Sequence, residues 1–411
     1  LASWITGVHD IGKCTPAFSV QVPNRDDRMK EAGLIHEPVD PLERRKVPHA
    51  LAGHLILESW LMNEHGWGCG PAEALASVVG AHHGIPPTTA ALGQDYYGHE
   101  HLLGEGKAWS ATRQELLELV TRRTRTAALL PHWARHRWTQ PFLVELSGLL
   151  IVSDWIASTE AYFPLLPLED DGACLLAPEA HASRVATGLS RLEIPAPWRP
   201  RDEGTAPDCL LTSRFNLPVG ARATDVQARV LAAARTMELP GLLIVQESTG
   251  GGKTEAALMA AEVLAARTGR SGVLFALPTQ ATTDAMFTRE IDWLTRIEDA
   301  YAEGGSPTAF AAQLLHGRSR LNEEARALRH RGYQIRDRLL GSLGGDDADN
   351  ADEEGAVRCG PRPTDIGRDE DAVRQAGSRR ADLAILAWFN GRKKAMLSDF
   401  VVTTVDHVLF G

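Results

Sequence analysis

The chain has 411 residues, of which 44% are hydrophobic and 23% charged, and its formal net charge is −10; that is enough apolar material for real cores and points to two domains. The most apolar run, PFLVELSGLLIVSDWIAS, carries Glu145 and Asp154, so no stretch is expected to behave as a transmembrane helix, and the N-terminus lacks a basic-then-apolar signal pattern. The cysteines Cys14, Cys69, Cys174, Cys209 and Cys359 are scattered, odd in number and form no C-x-x-C pair, so neither a disulfide framework nor a thiolate zinc site is suggested. They read as free thiols, and the expectation is a soluble cytoplasmic protein with no membrane partner.

Negative charge argues against nucleic acid at face value, because phosphate binding needs Lys and Arg. Its distribution weakens the objection. Between Asp346 and Asp371 ten acidic residues stand against three basic ones, so this segment holds −7 of the −10. The Gly- and Asp-rich run over residues 341–371 is expected to be a flexible insertion, since it has too little apolar surface to order itself.

Taken in chain order, residues 8–13 read VHDIGK. On a helix His9 and Asp10 project about 100° apart, and Lys13 stands over both at spacings of four and three. Imidazole and carboxylate together suit a divalent transition metal, with Lys13 placed to meet an anionic group bound there. In KVPHALAGHLILESWL, His49 and His54 are five apart and cannot share a helix face. His49, after Pro48 at a helix start, is the candidate ligand; His54 is expected in the core or on the surface. In SVVGAHHGIPP, His82 and His83 close an apolar helix that Gly84 and Pro86 terminate, and the alternative is that they face its negative pole. Arg122, Arg123, Arg125, Arg135 and Arg137 cluster next and read as a solvated face rather than a DNA groove. LSGLLIVSDWIASTEAYF is apolar around most of its circumference with Asp154 in the middle, and a buried carboxylate needs either a salt bridge or a metal.

The order H-D, H, H-H, D on separate helices closely resembles the HD phosphohydrolase superfamily. That resemblance implies an all-helical fold whose His and Asp residues hold one or two metals of the Mn, Co, Ni, Fe or Zn class. Members usually carry a further histidine upstream; none precedes His9, and with Leu1 in place of Met the chain is expected to be N-terminally incomplete with one ligand missing. If the resemblance holds, the ligand atoms of His9, Asp10, His82, His83 and Asp154 lie within roughly 8 Å of one another in an open cleft. His49 joins them, His54 does not, and Lys13 points toward the same cleft.

PAPWRPRDEGTAPD, residues 195–208, breaks the helical periodicity and marks a boundary; no internal repeat is visible. Beyond it, PGLLIVQESTGGGKTEAALMAAEVLAART reads as a buried strand, a glycine-rich turn and a long helix. Gly250, Gly251 and Gly252 let backbone N–H groups approach phosphates, Lys253 adds a charge and Thr254 offers a hydroxyl to Mg²⁺, with Ser248 and Thr249 completing the loop. Glu247 departs from the G-x-x-x-x-G-K-[ST] pattern, yet S-T-G-G-G-K-T is the form expected of superfamily 2 helicases. Upstream, Gln227 is placed to read an adenine edge with Phe215 stacking, and Gln227 equally reads as an exposed helical residue. Pro278, Thr279 and Thr282 follow a second strand and resemble a helicase motif that holds single-stranded DNA; Thr404, Val405, Asp406 and His407 resemble a further one.

With LPTQATTDAMFTR, LLHGRS and NGRKKAML leading into TTVDHVL, the chain resembles the CRISPR-associated helicase-nucleases of type I systems along almost its whole length. The resemblance implies a protein recruited by a guide-RNA surveillance complex to an R-loop, where it nicks the displaced single-stranded DNA and then unwinds and degrades it with ATP. It assigns His9, Asp10, His49, His82, His83 and Asp154 as metal ligands, Lys13 as a phosphate contact, and Thr249 to Thr254 as the nucleotide site with ATP and Mg²⁺. The expected fold class is multidomain: an all-α HD-type domain over 1–194, a linker over 195–209, and over 210–411 an α/β RecA-like helicase lobe with a parallel sheet. No Asp-Glu-x-His segment follows TTVDHVLFG, so the chain is expected to lack the acidic motif and the second lobe, and to hydrolyse ATP negligibly alone. An HD-type nucleotide phosphohydrolase and a catalytically dead recruitment module are the competing readings.

Overall fold

The structure, a computed structural model, describes residues 1–21, 23–93, 96–164, 178–192, 197–301, 311–330 and 394–410. The acidic insertion expected at 341–371, Cys174 and Cys359 lie outside the described residues. Inter-residue contacts gather into two units, Leu1–Gly188 and Leu189–Gly411.

The first unit is built by helices whose apolar residues recur at three and four. Helix α1 (Ala2–Val8) buries Trp4, Ile5 and Val8. After α2 (Pro23–Glu31), α3 (His49–Asn63) buries Ala52, Ile56, Leu57, Trp60 and Leu61, and α4 (Cys69–Gly80) buries Ala72, Leu75, Ala76 and Val79. Helices α5 (Lys107–Arg123) and α6 (Gln140–Ala157) add Leu117, Leu146 and Leu150 to the same core. Trp4 Nε1 donates to Thr121 Oγ1 at 3.0 Å, which ties α1 to α5. Helix α7 spans Pro178–Leu192.

α6 corrects one expectation. By length and composition it is apolar enough to cross a membrane, because two carboxylates do not offset its Leu, Ile and Val content. Its buried stripe, Leu143, Leu146 and Leu150, continues one turn later to Asp154, so the core packing of the helix also aims that carboxylate.

The second unit is α/β. Helices α8 (Pro207–Arg214), α9 (Asp225–Thr236) and α10 (Lys253–Thr268) share one core through Leu211, Leu231, Met259 and Val263. Buried Arg214 clasps Glu262 with Nε and Nη2 at 2.8–3.2 Å, locking α8 to α10. Strands β1 (Val273–Leu277), β2 (Ala312–Leu315) and β3 (Phe400–Thr404) form a parallel sheet in the order β1-β3-β2. The central strand reads FVVTT and is buried over its first four residues, as a parallel strand covered on both faces must be. Helix α11 (Gln280–Tyr301) packs Phe287, Ile291 and Leu294 against Leu314, Phe400 and Val402. A helical unit followed by an α/β unit with a parallel sheet is the fold class expected from the sequence.

The segment before the glycine-rich loop differs from the buried strand expected there. Residues 242–246 have no ladder partner among the described residues, and Leu242 and Ile244 are 83% and 81% exposed. Leu243 and Val245 pack on the α9–α10 core, so the period-two pattern survives while the pairing that would make it a strand does not.

Glu290, in the middle of α11, is fully buried, neither carboxyl oxygen has a hydrogen-bond partner among the described residues, and burial pushes its carboxyl well above the usual carboxylate range. The folded protein keeps this proton, whereas the unfolded chain releases it above about pH 4.3. The contribution of Glu290 to stability is therefore most favourable below that pH and is lost as pH rises toward its folded-state pKa. Glu290→Met should raise the melting temperature more at pH 8 than at pH 5, by roughly 2–4 °C for each kcal/mol recovered, and flatten the pH slope seen in thermal unfolding.

Candidate metal centre

α1 ends at Val8, and the chain tightens into a 3-10 turn over His9–Lys13. This corrects the α-helical placement: at about three residues per turn Lys13 stands over Asp10 alone. Its Nζ lies 2.7 Å from Asp10 Oδ2. The turn is pressed onto α3 by Gly12, where an added Cβ would collide with the His49 carbonyl oxygen and lie 2.5 Å from the Gly53 amide nitrogen. A Cβ on Gly53 would in turn stand 3.3 Å from the His9 carbonyl oxygen and 3.0 Å from Val79 Cγ1. His82 and His83 do not close a helix as expected. α4 stops at Gly80, and the two histidines occupy the turn after it, before Gly84 at φ +100°.

These elements bring the side chains into two groups. His49, His82 and His83 form one and His9, Asp10 and Asp154 the other, each with its candidate ligand atoms within 4.8 Å of one another. In the first, His49 Nε2 is 3.1 Å from His82 Nε2 and 2.9 Å from His83 Nε2. In the second, His9 Nε2 is 3.4 Å from Asp10 Oδ2 and 3.5 Å from Asp154 Oδ1. Asp10 joins the groups, its Oδ1 lying 3.8 Å from His49 Nε2 and 3.9 Å from His82 Nε2. His54 belongs to neither: it is buried within α3, 3.6 Å from Glu58.

The tautomers are fixed from behind. His9 Nδ1 donates to the Thr6 carbonyl and His82 Nδ1 to the Val79 carbonyl, both at 2.6 Å, which leaves each Nε2 as a lone pair aimed inward. Among the described residues His9 Nε2 is buried and has only the carboxylates of Asp10 and Asp154 beside it. Burial opposes charging His9, but Asp154 and Asp10 beside it hold its proton affinity above the ordinary value. Burial, reinforced by neighbouring histidines, pulls His49 down to about 4, and burial likewise lowers His82. Asp154 is held at about 2, first by His9 and then by Ser158, whose hydroxyl donates at 2.9 Å. The lone pairs of His49 and His82 and the Asp154 carboxylate converge, and such donors repel one another unless a cation lies between them. The donor set therefore fits a divalent transition metal, and Asp10 stands between the two groups of donors.

In the second unit, Gly250 and Gly252 take φ of +84° and +77°, conformations that favour glycine, just before α10 begins at Lys253. Lys253 Nζ donates to the carbonyls of Glu247 and Ser248, each at 2.7 Å. Glu247, where the pattern has glycine, turns its carboxylate back to accept from the Ser248 amide and hydroxyl at 2.8 and 3.0 Å. Gly251 lies against it, and a Cβ there would push the Glu247 side chain aside. Gln227 is buried rather than exposed: it accepts from the Thr224 amide at 2.9 Å and donates to the Gly252 carbonyl at 3.2 Å, which ties it to the loop. Phe215 packs against both cores of this unit instead of standing free. Pro278, Thr279 and Thr282 are exposed past the carboxyl end of β1, Thr404 is the last residue of the neighbouring β3, and Asp406 lies just past it. Two residues went unread in the sequence. Gly12 sits inside the quoted motif, and its only signal is glycine in a tight run. Arg289, whose Nη1 donates to Thr254 Oγ1 at 3.1 Å, has none.

Residues 1–163 match the family model described as Cas3, HD domain. The CRISPR-associated nuclease/helicase Cas3 of Streptococcus thermophilus is 29% identical over the full chain, which spans 39% of that relative. The chain resembles the Cas3 nuclease/helicases along its whole length. The Thermus thermophilus endonuclease/helicase Cas3 is likewise 29% identical over the full chain, which covers 38% of it. The crystal structure of T. fusca Cas3 with ADP, 23% identical, aligns over 99% of this chain and 37% of its own with a TM-score of 0.61, which establishes the shared fold. The chain thus spans about two fifths of the length of these curated relatives.

Gly12→Ala should cost about 1–3 kcal/mol through overpacking and move the His9–Asp10 turn off α3. The measurable outcome is a lower melting temperature together with weaker Mn²⁺ or Ni²⁺ binding by titration calorimetry. Gly70→Ala, with open space around it, should change neither.

Proposed function

We propose that this chain supplies the nuclease domain, residues 1–194, and the first helicase lobe, residues 210–411, of a metal-dependent single-stranded DNA nuclease coupled to an ATP-dependent helicase that degrades foreign DNA in type I CRISPR interference. The observation that carries the reading is Asp10, which places one carboxylate between a three-histidine group and a His-Asp pair. His9, Asp10 and Asp154 would hold one metal, and His49, His82 and His83 another. A divalent transition metal there would lower the pKa of a water and stabilise the departing oxygen of a phosphodiester.

The chain's own residues do the rest. The Thr6 and Val79 carbonyls hold the His9 and His82 rings in one tautomer. Lys13, its side chain 43% exposed and anchored to Asp10, presents an ammonium at the mouth, where a phosphodiester oxygen would be bound and oriented. A single strand offers its backbone to such a side-chain-lined site, whereas a duplex holds its phosphates on a stiff, wide cylinder. Ser248 to Thr254 would cradle ATP and Mg²⁺, while Thr279, Thr282, Thr404 and Asp406 on one sheet edge would contact the displaced strand of an R-loop. Similarity to the Cas3 relatives supports recruitment by a guide-RNA surveillance complex in the cytoplasm.

With Mn²⁺, Co²⁺ or Ni²⁺ the full-length natural protein should cut single-stranded DNA without ATP and largely spare duplex. Asp10→Ala should remove that activity, and undiminished cutting by the folded variant would refute the site. Lys253→Ala should abolish ATP-driven degradation of long targets yet leave ATP-independent cutting of short single strands; loss of both in a folded protein would refute two separable sites.

A further inference from the structure

The glycine-rich loop is touched by a cation that belongs to none of its own residues. Arg289 lies two turns into α11 and donates from Nη1 to Thr254 Oγ1 at 3.1 Å. Among the described residues Arg289 has no carboxylate partner. A guanidinium is always charged and presents several donors in a planar fork suited to phosphate, so a neutral hydroxyl uses little of it. We infer that Arg289 is a ligand for the terminal phosphate of a nucleoside triphosphate, through which α11 distinguishes triphosphate from diphosphate. This rests on the nucleotide-binding reading of residues 248–254.

Charge and geometry carry the inference. Thr254 is the second residue of α10 and offers the hydroxyl at which Mg²⁺ would be held, so the divalent ion and the guanidinium would meet on one oxygen. Two cations so close repel unless anionic oxygens lie between them. The last phosphate of a triphosphate is the group that reaches past the loop's own amides and Lys253 to stand there. A diphosphate ends short of it and leaves Arg289 on Thr254. Arg289 is also set by the sheet rather than by the loop, because α11 is pinned by Phe287, Ile291 and Leu294 in the core.

The same helix carries candidate strand contacts at its start. The Thr279 and Thr282 hydroxyls are 2.9 Å apart at its first turn. Asp284 accepts from Asn322 at 2.9 Å and contacts His316 at 3.2 Å, which fixes the turn after β2. Five residues separate Asp284 from Arg289, about 7.5 Å along a helix axis. A phosphate that draws on Arg289 therefore pulls on the element that presents the sheet edge.

The test measures binding by calorimetry in the full-length natural protein, with Mg²⁺ and either a non-hydrolysable ATP analogue or ADP. Arg289→Ala should weaken the analogue about tenfold, the scale of one charge-assisted phosphate contact, and leave ADP within about twofold. Arg289→Lys should recover part of the loss by restoring charge without the fork. Equal weakening of both nucleotides by Arg289→Ala, or no weakening of either, would overturn the assignment. Lys253→Ala isolates the underlying reading: it should weaken both nucleotides, and if it weakens neither, nucleotide binding at this loop is wrong and the role of Arg289 falls with it.

Discussion

Everything at the metal centre depends on one close approach, the contact of Gly12 with the first turn of α3. With no side chain at that position, the His9–Lys13 turn lies directly on the His49 carbonyl and the Gly53 amide. That contact sets the separation between Asp10 and His49, and so whether one carboxylate can face both groups of donors. Gly53 on the facing helix leaves room for the His9 carbonyl and for Val79, so α3, α4 and the turn meet at a point where two glycines replace side chains. Hydrophobic burial alone would bring these helices together at larger spacing, since helix axes ordinarily sit about 8–10 Å apart according to the side chains between them. Here small residues set the spacing and the ligands inherit it.

A cluster of this kind opposes folding unless something compensates. Four imidazoles and two carboxylates are drawn together where neighbouring lone pairs repel; burial and neighbouring histidines pull His49 down to about 4, which disfavours its charged form, while His9 holds Asp154 down at about 2, which favours its charged form. Backbone carbonyls behind His9 and His82 fix the rings without adding charge, and Lys13 offsets part of the carboxylate charge at the rim. Large apolar neighbours such as Trp4, Leu57 and Val79 hold the scaffold firm enough to keep the donors converged.

Legibility in the sequence followed the range of the interactions. The glycine-rich loop and the helix after it are local features, and their residues read directly as what they are. The His and Asp residues were legible as types, and Asp154 as a carboxylate on a leucine stripe, because period and composition carry that information. Which turn they occupy was not: the 3-10 geometry at His9–Lys13 and the end of α4 at Gly80 come from the packing of Gly12 and from the turn that follows the helix. The unpaired segment at 242–246 was misread for a related reason, since an apolar run announces burial on one face but not the neighbour that would pair with its backbone. Gln227 lay between two readings until the Gly252 carbonyl appeared as its partner, a contact 25 residues away in sequence.

The two candidate sites are assembled by opposite means. In the second, the glycine-rich turn, Lys253 and the start of α10 are consecutive residues, so the arrangement is encoded locally. In the first, donors separated by about 145 residues must converge, and any element that shifts carries its ligand with it. A substitution far from the first site but inside the α3–α4 packing therefore acts on function through position rather than through chemistry. In the second unit Gln227 and Arg289 reach this stretch from elsewhere in the chain, through the Gly252 carbonyl and the Thr254 hydroxyl.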